Sequence, residues 1–213
     1  MLPVSPINFV FVKMQAYDEV VKTQSGITLY KDTTFNPEWN ATLSAEVLTV
    51  PQAVRCVDGD THGLIPFVKK GDKVLFRYIV VQQMEQRDND TPIHFNQHLI
   101  EGELYWKINY SMILGVVRDG VLIPAPGYVF AKQVEEVSEE RKGLIYVPEN
   151  ARVKEKKGKA VVVSAGVPKK NMPDLGLNEG DVVVYRNGMA EKYDLEGSRY
   201  LVIRQEYIAA KLS

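Results

Sequence analysis

Three histidines and one cysteine are the residues best suited to hold a metal or attack a carbonyl in this chain of 213 residues. His94 and His98 lie four apart in Thr91-Pro92-Ile93-His94-Phe95-Asn96-Gln97-His98, a spacing that would set two imidazoles on one helix face for a metal. Pro92 and the low helix propensity around it argue against that helix, so the stretch reads as a polar loop and no metal is assigned. Cys56 follows Arg55, and a neighbouring cation favours the thiolate, but nothing else in the sequence supports an attacking thiol there. A single cysteine forms no intramolecular disulfide, no Cys-based zinc site and no iron–sulfur cluster. The chain lacks G-x-x-x-x-G-K-[ST], G-x-G-x-x-G and G-x-S-x-G, and its carboxylates are scattered over turns. These residues predict a protein that is not an enzyme and needs no cofactor.

What the inventory does contain is two apolar triplets set in polar surroundings. Asp18 to Gly26 is followed by Ile27-Thr28-Leu29 and then by the polar stretch Tyr30 to Asn40. Glu135 to Gly143 and Leu144 are followed by Ile145-Tyr146-Val147 and then by Pro148 to Lys157. Such a triplet is either a short strand covering a barrel or a linear motif. A linear motif docks in extended form and places alternate side chains in a partner's apolar groove. Spacing leaves both open.

The elements that must carry these triplets read as strands. Phe9 to Val12, Leu43 to Val50, Lys73 to Val81, Leu104 to Ile108 and Met112 to Val117 are short, β-branched or aromatic runs. The same flavour returns in Tyr128 to Val134, Leu144 to Val147, Lys159 to Ser164, Asp181 to Tyr185 and Tyr200 to Ile203. Glu135 to Lys142 has helix-forming residues but only Val137 to bury, so it reads as a solvated segment. Strands and turns without helices predict an all-β chain.

The chain also repeats itself. Tyr105-Trp106-Lys107-Ile108 with Ile113 matches Tyr200-Leu201-Val202-Ile203 with Ile208, and Gly71-Asp72-Lys73-Val74 matches Gly180-Asp181-Val182-Val183. Val47 to Val50 is aligned with Ala160 to Val163, and Val10 to Lys13 with Val129 to Lys132. Four blocks in one order imply a duplication, with a first domain over 1–120, a second over 121–213, and an insertion at Gln82 to Gly102 in the first.

Lys+Arg of 26 against Asp+Glu of 27 gives a net charge of -1, which lacks the basic excess of a phosphate-neutralising surface, so nucleic acid is not expected as a partner. The N-terminus has no basic region followed by a long apolar stretch, and no run approaches the roughly 18 apolar residues of a membrane span, so a cytoplasmic protein with no membrane partner is expected.

Strand, polar loop, Gly-Ile-x-Leu, polar loop, strand, Gly-Asp-x-Val and Tyr-x-x-Ile-x-x-x-x-Ile, in that order, resemble the chaperonin-10 (GroES) co-chaperonin family, here in tandem. The resemblance implies two small irregular β-barrels, each with a mobile loop whose triplet binds a large ATP-driven chaperonin ring and so helps cap its folding chamber. It assigns partner binding to Ile27, Thr28 and Leu29 and to Ile145, Tyr146 and Val147, with Gly26 and Gly143 as loop hinges and roof hairpins within Pro51 to Pro66 and Gly166 to Gly176. ATP would be bound by the partner ring and not by this chain. The family also implies edge-to-edge association, with further copies of the chain or with a single-barrel co-chaperonin. Phe9 to Lys13 with Gln205 to Leu212, and Tyr128 to Val134 with Met112 to Val117, are the expected edges. Asn8-Phe9 and Gly127-Tyr128 stand where the family usually has an acidic–basic pair, and Leu144 where a second Gly is common. The alternative is a GroES-fold scaffold that no longer engages a chaperonin.

Overall fold

The computed structural model describes residues 4–14, 20–23, 25–30, 43–52, 54, 67–82, 84–86, 92–94, 96–137, 153–169, 172–195 and 197–212. The chain divides into two units, Met1–Ala125 and Pro126–Ser213. The first contains β1 (Phe9–Lys13), β2 (Val20–Lys22), β3 (Thr28–Tyr30), β4 (Ser44–Thr49), β5 (Lys73–Phe76) and a single turn of helix, α1 (Ile79–Gln82). It continues with β6 (Met84–Gln86), β7 (Pro92–His94), β8 (Gln97–Ile100), β9 (Glu103–Asn109), β10 (Ile113–Arg118) and β11 (Val121–Pro124). The second contains β12 (Tyr128–Val137), β13 (Val153–Ala165), β14 (Val182–Tyr185), β15 (Ala190–Leu195), β16 (Ser198–Arg204) and β17 (Ile208–Leu212).

The fold is all-β, as the strand signals predict. One sheet runs β11-β10-β5-β4-β1-β9-β8 and the other β15-β16-β12-β13-β14-β17, with β2·β3 and β6·β7 as separate hairpins. Alternation along each strand turns one set of side chains inward. In the first unit Val10, Val12, Val47, Val74, Trp106, Ile108 and Ile113 meet in one core. In the second, Val129, Val162, Val183, Leu201 and Ile203 do the same.

Read from opposite ends, the two sheets have the same strand order and the same register. Phe9 faces Asn109 and Val12 faces Trp106, while Tyr128 faces Arg204 and Ala131 faces Leu201. Both units break register at the same place, between Phe11 and Val12 and between Phe130 and Ala131. The backbone bonds repeat as well. Gly71 N–H to Val47 O and Val47 N–H to Asp72 O, both 2.8 Å, recur as Gly180 N–H to Val162 O and Val162 N–H to Asp181 O, both 2.8 Å. Asn8 and Gly127 occupy one position, each with positive φ (67° and 80°), and their carbonyls accept from Tyr110 N–H and Gln205 N–H at 2.8 Å. Gly and Asn are among the residues that enter this region at least cost.

The repeat corrects three expectations. Val47 corresponds to Val162 rather than to Ala160, because Val12 faces Val47 as Ala131 faces Val162. A slip of two residues keeps every side chain on its face, so hydrophobic pattern cannot detect it. Within Gln82 to Gly102, the last residues form β8, paired to β9 as β15 is to β16, so the extra length is narrower than the polar stretch. Arg77 and Gln97 are 20 positions apart where their counterparts Arg186 and Lys192 are 6 apart, leaving 14 extra residues. They are anchored by Val80 and Val81 in the core and by Asn96, whose Nδ2 donates to Val80 O at 2.8 Å. Finally, Phe9 to Lys13 and the start of Tyr128 to Val134 are not edges: β1 lies between β4 and β9, and β12 between β13 and β16.

Candidate partner-docking surfaces

The first triplet sits at the end of a hairpin outside the seven-stranded sheet. Val20, Val21 and Lys22 face Tyr30, Leu29 and Thr28. The turn is closed by Thr23: its N–H donates to Ile27 O at 2.9 Å, its Oγ1 accepts from Ile27 N–H at 3.0 Å, and its carbonyl accepts from Gly26 N–H at 2.9 Å. Gly26 takes φ 81°, which a side chain would strain. Ile27 is 60% exposed at this tip, an aliphatic group held in solvent by a turn built from hydroxyls. Thr28 and Leu29 are thus strand residues, paired with β2 in a two-stranded sheet separate from the seven-stranded one among the described residues.

Ile145, Tyr146, Val147 and Gly143 lie outside the described residues. Their frame is described: Glu135 faces Glu155, Glu136 faces Lys154 and Val137 faces Val153, so the chain leaves and re-enters β12 and β13 side by side. Glu135 to Val137, expected as solvated loop, therefore belong to a strand.

The stretches that lead into Gly71-Asp72 and Gly180-Asp181 are tied to the sheet by cations the motifs do not single out. In the first unit the Asp72 carboxylate, 3% exposed, accepts from Arg118 Nε at 2.8 Å, from Arg118 Nη2 at 2.7 Å and from Lys69 N–H at 2.6 Å. Arg118 Nη2 also donates to Phe67 O at 2.8 Å, and its hydrogen bonds to Asp72 hold the guanidinium pKa above its ordinary value. In the second unit the partner is Lys211, whose Nζ reaches Asp181 at 2.7 Å and Gly176 O at 2.9 Å. The bond from Lys211 pulls the Asp181 carboxyl below its usual range. Phe67 and Gly176 each lie five residues before their aspartate. One bridge is therefore built twice, from cations at different positions of the last strand.

A second pair of anchors follows the penultimate strands. Tyr110 is buried, its hydroxyl accepts from Val68 N–H at 2.8 Å, and burial pushes its pKa up. Its counterpart Gln205 donates from Nε2 to Gly166 O at 2.6 Å. In the described part of Gly166 to Gly176, Gly166 N–H bonds Tyr128 O at 2.9 Å and Gly127 N–H bonds Val167 O at 2.8 Å. Pro51 to Pro66 falls mostly outside the described residues, as does Cys56.

The last strands differ between the units. β10 is covered by β11, with Gly115 facing Pro124 and Val116 facing Ile123. β17 ends its sheet, and no strand among those described covers its outer side. Leu114 and Val116 are fully buried, whereas their counterparts Ala209 and Lys211 are exposed. His94 is on β7 and His98 on β8, so the expected polar loop is two strands and no helix brings the imidazoles together. Among the described residues no helix is long and apolar enough to cross a membrane.

The sequence model of the family described as Chaperonin 10 Kd subunit matches residues 121–212. The co-chaperonin GroES of Bacteroides fragilis is 33% identical over 97 residues, covering 45% of this chain and 93% of that protein. The chain belongs to the chaperonin-10 family. The co-chaperonin GroES of Thermus thermophilus is 30% identical over 94 residues, 43% of this chain and 92% of the relative. The co-chaperonin GroES of Methanosarcina acetivorans is 29% identical over 108 residues, 51% of this chain and 88% of the relative. The family match covers the second unit together with β11. The chaperonin-10 relatives and the all-β fold agree with a co-chaperonin-like role in general.

Proposed function

We propose that this protein is a tandem co-chaperonin that docks the triplets Ile27-Thr28-Leu29 and Ile145-Tyr146-Val147 on a large chaperonin ring and helps cap its chamber. The observation that carries this reading is the shared frame. The first unit lies mostly outside the family match, yet it has the strand order, the register and the backbone bonds of the second. The first unit is then a diverged barrel of the same kind, with the β2·β3 hairpin where a barrel of this family presents its loop. Exposed Ile27 supports docking, because an aliphatic side chain left in water gains roughly 1.5–3 kcal/mol on entering an apolar groove. Replacing Ile145 and Val147 with Ser removes two such groups, and replacing Ile27 and Leu29 does the same in the first loop. Each double variant is expected to bind a chaperonin ring about a hundredfold more weakly while keeping its fold. Unchanged capture by the ring with both loops altered would overturn docking through the triplets, and no capture of the unaltered protein would favour the scaffold reading.

The same frame supports self-association. Ala125 N–H donates to Leu114 O at 2.8 Å, and bonded pairs alternate along an antiparallel ladder, so Ile123 and Val121 are the next donors and Pro124 and Leu122 fall between them. By the repeat, Val4 stands at a donor position, while Ser5 stands where no N–H is required. Val4 is 83% exposed where its counterpart Ile123 is partly covered. Val4 and Ser5 of a further copy fit the open edge of β17 as Ile123 and Pro124 fit β10, with one bond fewer because Pro6 replaces Ala125.

A further inference from the structure

His98 stands on β8, the outermost strand of the seven-stranded sheet. In register it faces Tyr105 of β9, and its ring meets Phe11 of β1 edge-on, centroids 6.2 Å apart at 85°. Its Nε2 is enclosed and has no hydrogen-bond partner among the described residues. The charged groups nearest it on that sheet face are Lys107 of β9, whose Nζ lies 5.0 Å from the Phe9 ring centre, and the ion pair of Lys13 on β1 with Glu103 on β9 at 3.1 Å; Glu46 of β4, opposite Lys13, and Lys73 of β5, opposite Glu46, lie further across the sheet. Glu103 is thus matched by Lys13, and Lys107 adds a second positive charge. In the second unit the same position is Tyr193, facing Tyr200, which in turn meets Phe130 edge-on at 6.3 Å. The two units therefore place an imidazole and a phenol in one aromatic setting, and only the imidazole titrates near neutrality.

We propose that His98 is a proton-sensitive latch on the first unit, holding β8 against β9 when neutral and releasing that edge when protonated. A charged ring would carry an Nε2–H with no acceptor, enclosed beside Phe11 and close to the cation of Lys107. Burial first, and Lys107 second, keep the ring's pKa below its ordinary 6.5. The sign follows from linkage: the opened strand binds the proton more readily than the closed one. Above about pH 6.5 both forms are neutral and the latch is unaffected. As pH falls below that value, closure weakens by up to about tenfold per unit, until pH reaches the pKa of the ring in the closed state. Tyr193 gives the second unit no such response. This inference does not depend on whether the protein engages a chaperonin.

The test is amide exchange on the full chain at several pH values between 8 and 5, corrected for intrinsic rates, with a parallel nuclear magnetic resonance titration of the imidazole. The expected result is that residues 97–100 lose protection on acidification while 192–195 keep theirs, and that the His98 ring titrates below 6.5. In His98→Tyr, the residue of the second unit, the loss should disappear; His98→Phe serves if the tyrosine variant does not fold. A His98 ring titrating at or above 6.5, or an equal loss of protection in either variant, would overturn the proposal.

Discussion

Asp72 and Asp181 occupy one position of the repeat but have partners of different strength, and that difference is testable at the residue scale. The Asp72 side chain is 3% exposed and Arg118 25%, so Arg118→Met strands a buried carboxylate, and the loss expected in urea unfolding is about 3–5 kcal/mol. Lys211→Met should cost far less, because the Asp181 pair is open to water. Its effect should also depend on pH. A carboxyl held below its unfolded pKa of about 3.9 stabilises the fold above that value and loses this contribution as pH falls through the folded pKa, so the variant should lack that part of the acid limb. Tyr110→Phe leaves Val68 N–H buried without its acceptor, a cost of about 1–3 kcal/mol in the same assay. The Gly-Asp motifs are legible in the sequence, but their cations are not. Arg118 and Lys211 sit at unlike positions of the last strand and meet their aspartates only through the sheet.

Among elements, the strands themselves were readable because β-branched and aromatic runs between turn residues have few other uses. Their partners were less so. The two-residue slip between Val47 and Val162 is silent in a pattern of period two, and β8 was hidden in a polar stretch because an outer strand need not be apolar. The triplet Ile27-Thr28-Leu29 could be read as strand or as docking motif; it is a strand from Thr28 onward, in a hairpin that leaves Ile27 in solvent. The strand junction gives a sharp prediction at this scale. Val4→Pro removes a donor from the proposed pairing with β17, whereas Val4→Ala keeps it. Sedimentation velocity over a concentration series should show self-association weakened about tenfold by the first, roughly the worth of one or two hydrogen bonds, and unaltered by the second. Equal effects would argue for a different interface.

For the whole molecule, the duplication was visible as ordered blocks, and the structure extends it to strand order, register breaks and individual backbone bonds. The family match at 121–212 belongs to the better preserved unit, while the first has exchanged side chains and gained 14 residues without changing its frame. Core positions tolerate such exchange if volume and pattern persist, so a frame outlives its sequence signature. A chain with two barrels contributes them to any assembly in pairs, and β11 on β10 already supplies one strand junction within the chain. The central claim is that both barrels act as a co-chaperonin. Size-exclusion chromatography of the purified protein with a chaperonin ring, with and without ATP, tests it most directly. Co-elution with the ring is expected when ATP is present, and its loss when ATP is withheld. Elution apart from the ring under both conditions, by a folded protein with its triplets intact, would contradict it.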